Sequence, residues 1–433
     1  MIPRYSRPEM ARVWSEENKF SSWLRVEIAA AQAWADMGVI PRDDADKIAR
    51  GAAFRLEDVD RYEREMHHDM NAFLRSVSDS LGEEGRWVHL GLTSYDTEDP
   101  ALSLRLVEAA DIIAEDLRLL EEAIAARALE FKDTICMGRT HGMHAEPITF
   151  GLKLLNWLDE VRRGRTRLAQ ARESIAVGKL SGPVGSHATV PPELEERVCE
   201  KLGLGVDAVS TQVISRDRHA HFLQTLALIG ASLERFATEI RHLQRSEVGE
   251  AEEPFQSGQQ GSSSMPHKRN PEKCERVCGL ARVLRSNSLA ALENVALWHE
   301  RDISQSSVER VIIPDSCLAL DYILDMFTSI VRGLVVYPKR MIANMAITQG
   351  VVFSQRVLLV LVEKGMSRQE GYIYVQRAGH AALNEQRPFR ETIAEEADVT
   401  ALLTSSDLDN IFDYSYYTRE VDKSFARMGL LKP

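Results

Sequence analysis

The sequence predicts an all-α protein with a central bundle of long helices, divided into three domains. Three observations carry this. Two long stretches are almost free of proline and glycine and repeat apolar residues every three or four positions. Aromatic residues make up only 7% of a chain otherwise rich in Ala, Leu, Glu and Arg, a mix that favours helix over sheet. At 433 residues the chain exceeds the roughly 250–300 residues that one core can serve.

The first domain is assigned to residues 1–93 and reads as helical. The central bundle is assigned to residues 94–345. Between Ala101 and Phe131 there is no Pro or Gly, and Leu102, Leu106, Ala109, Ile113, Leu117, Leu120 and Ile124 share one face. Asp99 suits the cap of this helix and Pro100 its first turn, where a missing N–H costs nothing. Phe150 to Ala176 reads as a second long helix. From Thr211 to Val248 a third carries Phe222, Leu226, Ile229, Leu233, Phe236, Ile240 and Leu243 in steps of four and three, the seam of a helix bundle. Glu272 to Ile313 reads as a fourth, with breaks. Helices this long exceed a compact single-chain globule and predict packing between subunits. Residues 346–433 shift to shorter helices and form the third domain.

The net charge is −12, from 53 Lys and Arg against 65 Asp and Glu. That argues against a general nucleic-acid binder, though not against a small anionic ligand gripped by local cations. The first residues hold no apolar signal core, and the longest apolar runs, such as Val357 to Val362, fall far short of the roughly 20 residues of a membrane span. Five scattered cysteines suit reduced thiols in a cytoplasm better than a disulfide framework.

Turn-forming residues collect at Gly82–Asp99, Gly138–Pro147, Gly178–Pro192 and Glu252–Pro271. The last is rich in Gly and Ser, yet it ends in His267-Lys268-Arg269-Asn270, which a flexible linker does not need. Histidines cluster at His67-His68, His141/His144 and His219/His221. No HExxH is present and Cys274/Cys278 lack a second pair, so acid–base or structural roles outrank a metal site. Ser262 to Ser264, followed by Lys268, offers hydroxyls, N–H groups and a cation suited to charge developing on a carboxylate.

The run Ser262-Ser263-Ser264-Met265-Pro266-His267-Lys268-Arg269-Asn270-Pro271 resembles the signature loop (residues 255–271 here) of the fumarase/aspartase superfamily, all-helical enzymes that release fumarate by β-elimination. Within it the chain is similar, nearly end to end, to the adenylosuccinate lyase branch. The matches include Arg4-Tyr5, His68-Asp69, Trp87-Val88-His89, Leu92-Thr93-Ser94, Gly138-Arg139-Thr140-His141-Gly142, Arg216-Asp217-Arg218-His219 and Trp298-His299-Glu300-Arg301-Asp302-Ile303-Ser304.

That resemblance implies cleavage of adenylosuccinate and SAICAR, each yielding fumarate. It implies Ser262 as general base and His141 as general acid, with His68, Lys268 and Glu275 completing the catalytic set and Glu275 paired to His141. Arg4, Tyr5, Arg301, Ser306 and Arg310 match phosphate-side binders. Thr93, Ser94, Thr140, Lys268 and Asn270 match the succinyl end. His67, His68, Asp69, His89, Gln212, Ser263 and Arg276 match further substrate contacts. The resemblance also implies a homotetramer in which three subunits build each site, and an elimination without metal or organic cofactor. His67, Tyr95, Thr97-Glu98-Asp99-Pro100, Met143 and Gln305 depart from the family's usual residues. Alternatives are another fumarate-releasing lyase of the superfamily and a helical scaffold without activity.

Overall fold

The computed structural model describes residues 1–255, 258 and 261–432. Four positions of the 255–271 loop (256, 257, 259 and 260) therefore lie outside the described residues. Long helices dominate the described chain. They span Ser94–Glu130, Phe150–Ile175, Asp217–Leu243, Glu272–Glu293 and Ser304–Gly333. The expected all-α class holds. The described strands are a hairpin of Ile135–Thr140 with Met143–Thr149 and two pairs of two-residue strands.

One local expectation is corrected, and the break expected in another stretch is located. The Ser94–Glu130 helix does not start at Asp99-Pro100 but six residues earlier, and Pro100 lies inside it. The Asp96 carboxylate accepts the Thr93 N–H at 2.9 Å and fixes the earlier start. Asp99 is buried and binds Arg216 instead. The stretch Glu272 to Ile313 is two helices, parted by the segment 294–303. Trp298 N–H and Ser304 N–H both donate to the Asp302 carboxylate, at 2.7 and 2.9 Å, which turns the chain there.

Contacts divide the chain into two compact units. The first comprises Met1–Leu119, Arg162–Arg235 and Arg276–Phe327; the second comprises Leu120–Val161, Phe236–Glu275 and Thr328–Pro433. In the first, Phe20, Trp23 and Phe73 form an aromatic knot with ring centroids 5.1–5.7 Å apart. A buried polar core accompanies it. Arg216 donates to Asp99 at 2.8 and 2.9 Å and to Glu309 at 3.0 and 3.3 Å. Lys179 pairs with Asp96 at 2.6 Å, both side chains fully buried. Such pairs hold a defined arrangement, because losing one partner strands the other charge out of water.

In the second unit, Val352, Phe353, Val357, Leu361, Phe389 and Ile393 belong to one apolar core that also takes in Met137 of the hairpin. The hairpin is tied down by Arg139, which donates to both oxygens of buried Glu250 at 3.0 and 2.5 Å. Asn344 Nδ2 donates to the same carboxylate at 2.7 Å. All five cysteines are buried thiols outside any disulfide. Among the described residues no single helix is long and apolar enough to cross a membrane.

Candidate active site

The first unit brings together three of the residues expected at the phosphate end (Arg301, Ser306 and Arg310) with Ser94, expected at the succinyl end, and the further contacts His67, His68 and Asp69. His67, His68, Asp69, Ser94, Arg301, Ser306 and Arg310 all line one cavity of about 450 Å³. That volume is of the size that holds a small molecule or a large part of one. Local structure explains each placement. The Leu56–Met66 helix ends on His67, whose φ of 53° turns the chain back. His68 then caps the Asp69–Asp79 helix, its Nδ1 accepting the Asn71 N–H at 3.4 Å. This use of Nδ1 leaves the proton of the neutral ring on Nε2.

Arg301 and Arg310 sit in different electrostatic settings. Arg310 donates to Asp69 at 2.6 Å and lies 3.8 Å from Glu98. Burial and the nearby Asp69 push the Glu98 carboxyl up to about 8. Arg301 donates to Gln212 Oε1 at 2.9 Å, and Gln212 is itself fixed by Nε2 donating to the Pro183 carbonyl at 3.1 Å.

Further members occupy the same unit. Arg276 donates to the Tyr322 hydroxyl at 2.9 Å, and the Tyr322 ring packs 5.5 Å from that of Tyr5. Arg4 is exposed on the short turn of helix beside Tyr5. Thr93 precedes the Ser94–Glu130 helix. His89, at φ 64°, bonds Glu27 Oε1 through Nδ1 at 2.7 Å. Burial opposes charge on His89, but the Glu27 carboxylate outweighs it, and the net pKa is raised.

The second unit carries four of the five residues expected to do the chemistry, Ser262, His141, Lys268 and Glu275, while the fifth, His68, belongs to the first. His141 and Gly142 are the two central residues of the hairpin turn, with φ of 55° and 76°. Both being positive gives the turn whose twist suits two paired strands. His141 and Thr140 are exposed at its tip. Ser262 Oγ accepts two backbone N–H bonds, from Ser264 at 3.3 Å and Met265 at 3.1 Å. The loop is closed below by Asn270, which donates to the Gly261 carbonyl at 2.8 Å. Gly261 is required here, since a Cβ would meet the Lys268 carbonyl at 2.1 Å.

Ser263, Lys268 and Glu275 are exposed. Within one chain His141 bonds neither Ser262 nor Glu275 among the described residues, so the expected His141–Glu275 pair is not formed there. Among those residues no group of three or more His, Cys, Asp or Glu could hold a metal ion.

Five of the seven non-glycine residues with positive φ are histidines, and three of these (His67, His89 and His141) are expected site residues. Backbone outliers of this kind gather where function fixes a side chain. Sequence reading missed Glu27, Tyr322 and Glu250. Glu27 had a usable signal: it is a lone acid in the apolar run Val26–Ala31. Tyr322 and Glu250 had none, because their partners are remote in sequence.

Comparison with known proteins defines the class first. A family model described as lyase matches residues 4–285. The fold superposes on a fumarate lyase from Mesorhizobium sp. BNC1 with a TM-score of 0.91 and 26% identity, covering 99% of each chain. It also superposes on the 3-carboxy-cis,cis-muconate lactonizing enzyme of Pseudomonas putida, with a TM-score of 0.88, 28% identity and 98% and 96% coverage. The molecule thus belongs to the class of helical lyases.

A second model, described as the adenylosuccinate lyase C-terminus, matches residues 350–428. The adenylosuccinate lyase of Bacillus subtilis (strain 168) is 50% identical over 430 residues, 99% of this chain and 100% of that one. That of Aquifex aeolicus (strain VF5) is 52% identical over 431 residues, 99% of each. The chain belongs to the adenylosuccinate lyase family.

Proposed function

We propose that the chain releases fumarate from adenylosuccinate, leaving AMP, and from SAICAR, leaving AICAR. The observation that carries this reading is identity of about half to adenylosuccinate lyases along the whole chain. In each reaction a base removes a proton from the carbon beside a carboxylate. The electron pair of that C–H bond becomes the new C=C bond as the C–N bond breaks, and an acid protonates the departing nitrogen.

Ser262 is the base and His141 the acid. A serine hydroxyl is a very weak acid, so its oxyanion needs donors aimed at it. The two N–H groups on Ser262 Oγ supply them. Lys268 adds a positive charge from the same loop, and with Asn270, Ser263, Thr140, Thr93 and Ser94 holds the succinyl carboxylates. Arg301, Ser306 and Arg310 bind the phosphate, with Arg4, Tyr5 and Arg276 alongside. Arginine suits a phosphate because its planar fork donates two parallel bonds.

Each site is completed by other copies in a homotetramer. Exposed Leu228, Leu289, Leu292 and Val311, at 46–60% exposure on three of the long helices, give those copies apolar surface to cover. The enzyme works in the cytoplasm, where its five thiols stay reduced.

The test is turnover of both succinyl nucleotides by purified protein in the presence of a chelator, followed by absorbance. Cleavage of both is expected. Folded tetramer that turns over neither would overturn the reading.

A further inference from the structure

Several of the residues that depart from the family's usual choices lie together, although Met143, exposed on the hairpin, does not. His67, Tyr95 and Glu98 line the same cavity as Arg301 and Arg310, and Gln305 lies against Tyr95. Among the described residues Arg301 forms no ion pair there, and Glu98 and Glu309 act on it only from longer range. Its guanidinium carbon sits 3.8 Å from the centroid of the Tyr95 ring. Its Nη1 donates to Gln212 at 2.9 Å. The Gln305 amide nitrogen donates to the Asp302 carbonyl at 2.8 Å, and its oxygen then accepts from Arg301 Nε at 3.3 Å. The Tyr95 hydroxyl lies 3.3 Å from the same end of that amide.

Neighbouring arginines differ. Arg310 is matched by Asp69, with the Glu98 carboxyl 3.8 Å away, and Arg216 is paired with Asp99 and Glu309. No carboxylate lies within ion-pair distance of Arg301 among the described residues. The Tyr95 ring is 6% exposed and cannot swing away without moving the buried network beneath it. Burial also raises the Tyr95 hydroxyl pKa and keeps it protonated. A flat aromatic face attracts a guanidinium while leaving its net charge intact.

We propose that Tyr95 is a positioning residue that fixes Arg301 on its ring, with Gln305 and Gln212 completing a clamp of neutral groups, so that Arg301 presents its whole charge to the substrate's phosphate. This rests on the phosphate-binding role proposed for Arg301. The clamp acts before chemistry begins, so it governs binding of the phosphate end and leaves the elimination step alone.

The experiment compares the full-length Tyr95→Leu, Tyr95→Phe and Gln305→Leu proteins with the parent. KM and kcat for adenylosuccinate are measured, with inhibition by AMP, which carries the phosphate, and by fumarate, which does not. Tyr95→Leu is expected to raise KM and the AMP inhibition constant together, on the order of tenfold, with kcat within about twofold and fumarate inhibition unchanged. Tyr95→Phe keeps the ring and should stay within about threefold of the parent. Gln305→Leu should give a smaller rise in the same two constants.

Equal constants for Tyr95→Leu and Tyr95→Phe would overturn the proposal. So would a loss confined to kcat, or equal weakening of AMP and fumarate. Should Tyr95→Leu fail to assemble, Gln305→Leu decides alone: unchanged AMP inhibition rejects the clamp. A parent protein that cleaves no succinyl nucleotide would instead refute the functional reading.

Discussion

The two compact units carry their expected site residues in opposite states. In the first, the charged and polar members come already partnered: Arg310 on Asp69, His89 on Glu27, Arg276 on Tyr322, Arg301 on Gln212. In the second, His141, Lys268 and Glu275 stand exposed, and among the described residues Ser262 bonds the backbone and hydroxyl of its own loop. The binding half is pre-organised by its own fold, which lowers the entropy cost of gripping a ligand. The residues proposed to react are offered on a hairpin tip and a loop, where the proposed reading has other copies complete the site.

The strongest way to break this contrast is to remove the reactive half. Ser262→Ala and His141→Ala should each lower kcat by about a thousandfold or more, since each deletes a proton-transfer group. Assembly and thermal stability should hardly change, because neither side chain is buried. Mixing His141→Ala with His68→Ala protein and re-associating the subunits should restore part of the activity, measured by turnover. Failure in every mixing ratio would mean that one chain supplies a whole site, and the contrast would lose its cause.

A milder test acts on the pre-organised half. Glu98 is neutral below about pH 8 because burial and Asp69 oppose its charge. Ionisation above that pH adds a negative charge beside Arg310. KM for the anionic substrate should then rise on the order of tenfold between pH 7 and pH 9, while Glu98→Gln should show a flat profile. Steady-state kinetics across that range decide it. Identical profiles in the two proteins would remove Glu98 from the phosphate cavity's electrostatics.

The same contrast explains what could be read from sequence. The long helices were legible because their faces repeat every three or four residues, a purely local signal. Their ends were less so. Asp99-Pro100 has the local chemistry of a helix start, yet Arg216, remote in sequence, claims Asp99, and the cap moves to Thr93. Gly138–Pro147 reads in sequence as a turn-rich loop although it lies within the Ile135–Thr149 hairpin, since a brief paired excursion leaves little periodicity. Ser262, His141 and Lys268 stood out through their motifs. Glu27 and Tyr322 did not, because their roles exist only once distant segments meet.

One place in the first unit is not balanced, and it gives the smallest expected effect. Arg7 donates to Asp116 at 2.9 Å and to Asp321 at 2.7 Å, so one cation faces two buried carboxyls. The second oxygens, Asp116 Oδ2 and Asp321 Oδ2, have no donor. Burial and the adjacent Asp116 push Asp321 up to about 8. The folded chain therefore keeps a proton there that the unfolded chain releases near the ordinary carboxyl pKa of about 3.9. Between those values the unfolded state binds fewer protons, so this group's contribution to stability falls as pH rises from about 4 to 8. Asp321→Asn holds the site neutral throughout. Its melting temperature relative to the parent should climb by a few degrees from pH 5 to pH 8, at fixed protein concentration. A difference that stays constant across that range would show that the pair is not sharing a proton, and that the first unit's charges are matched without it.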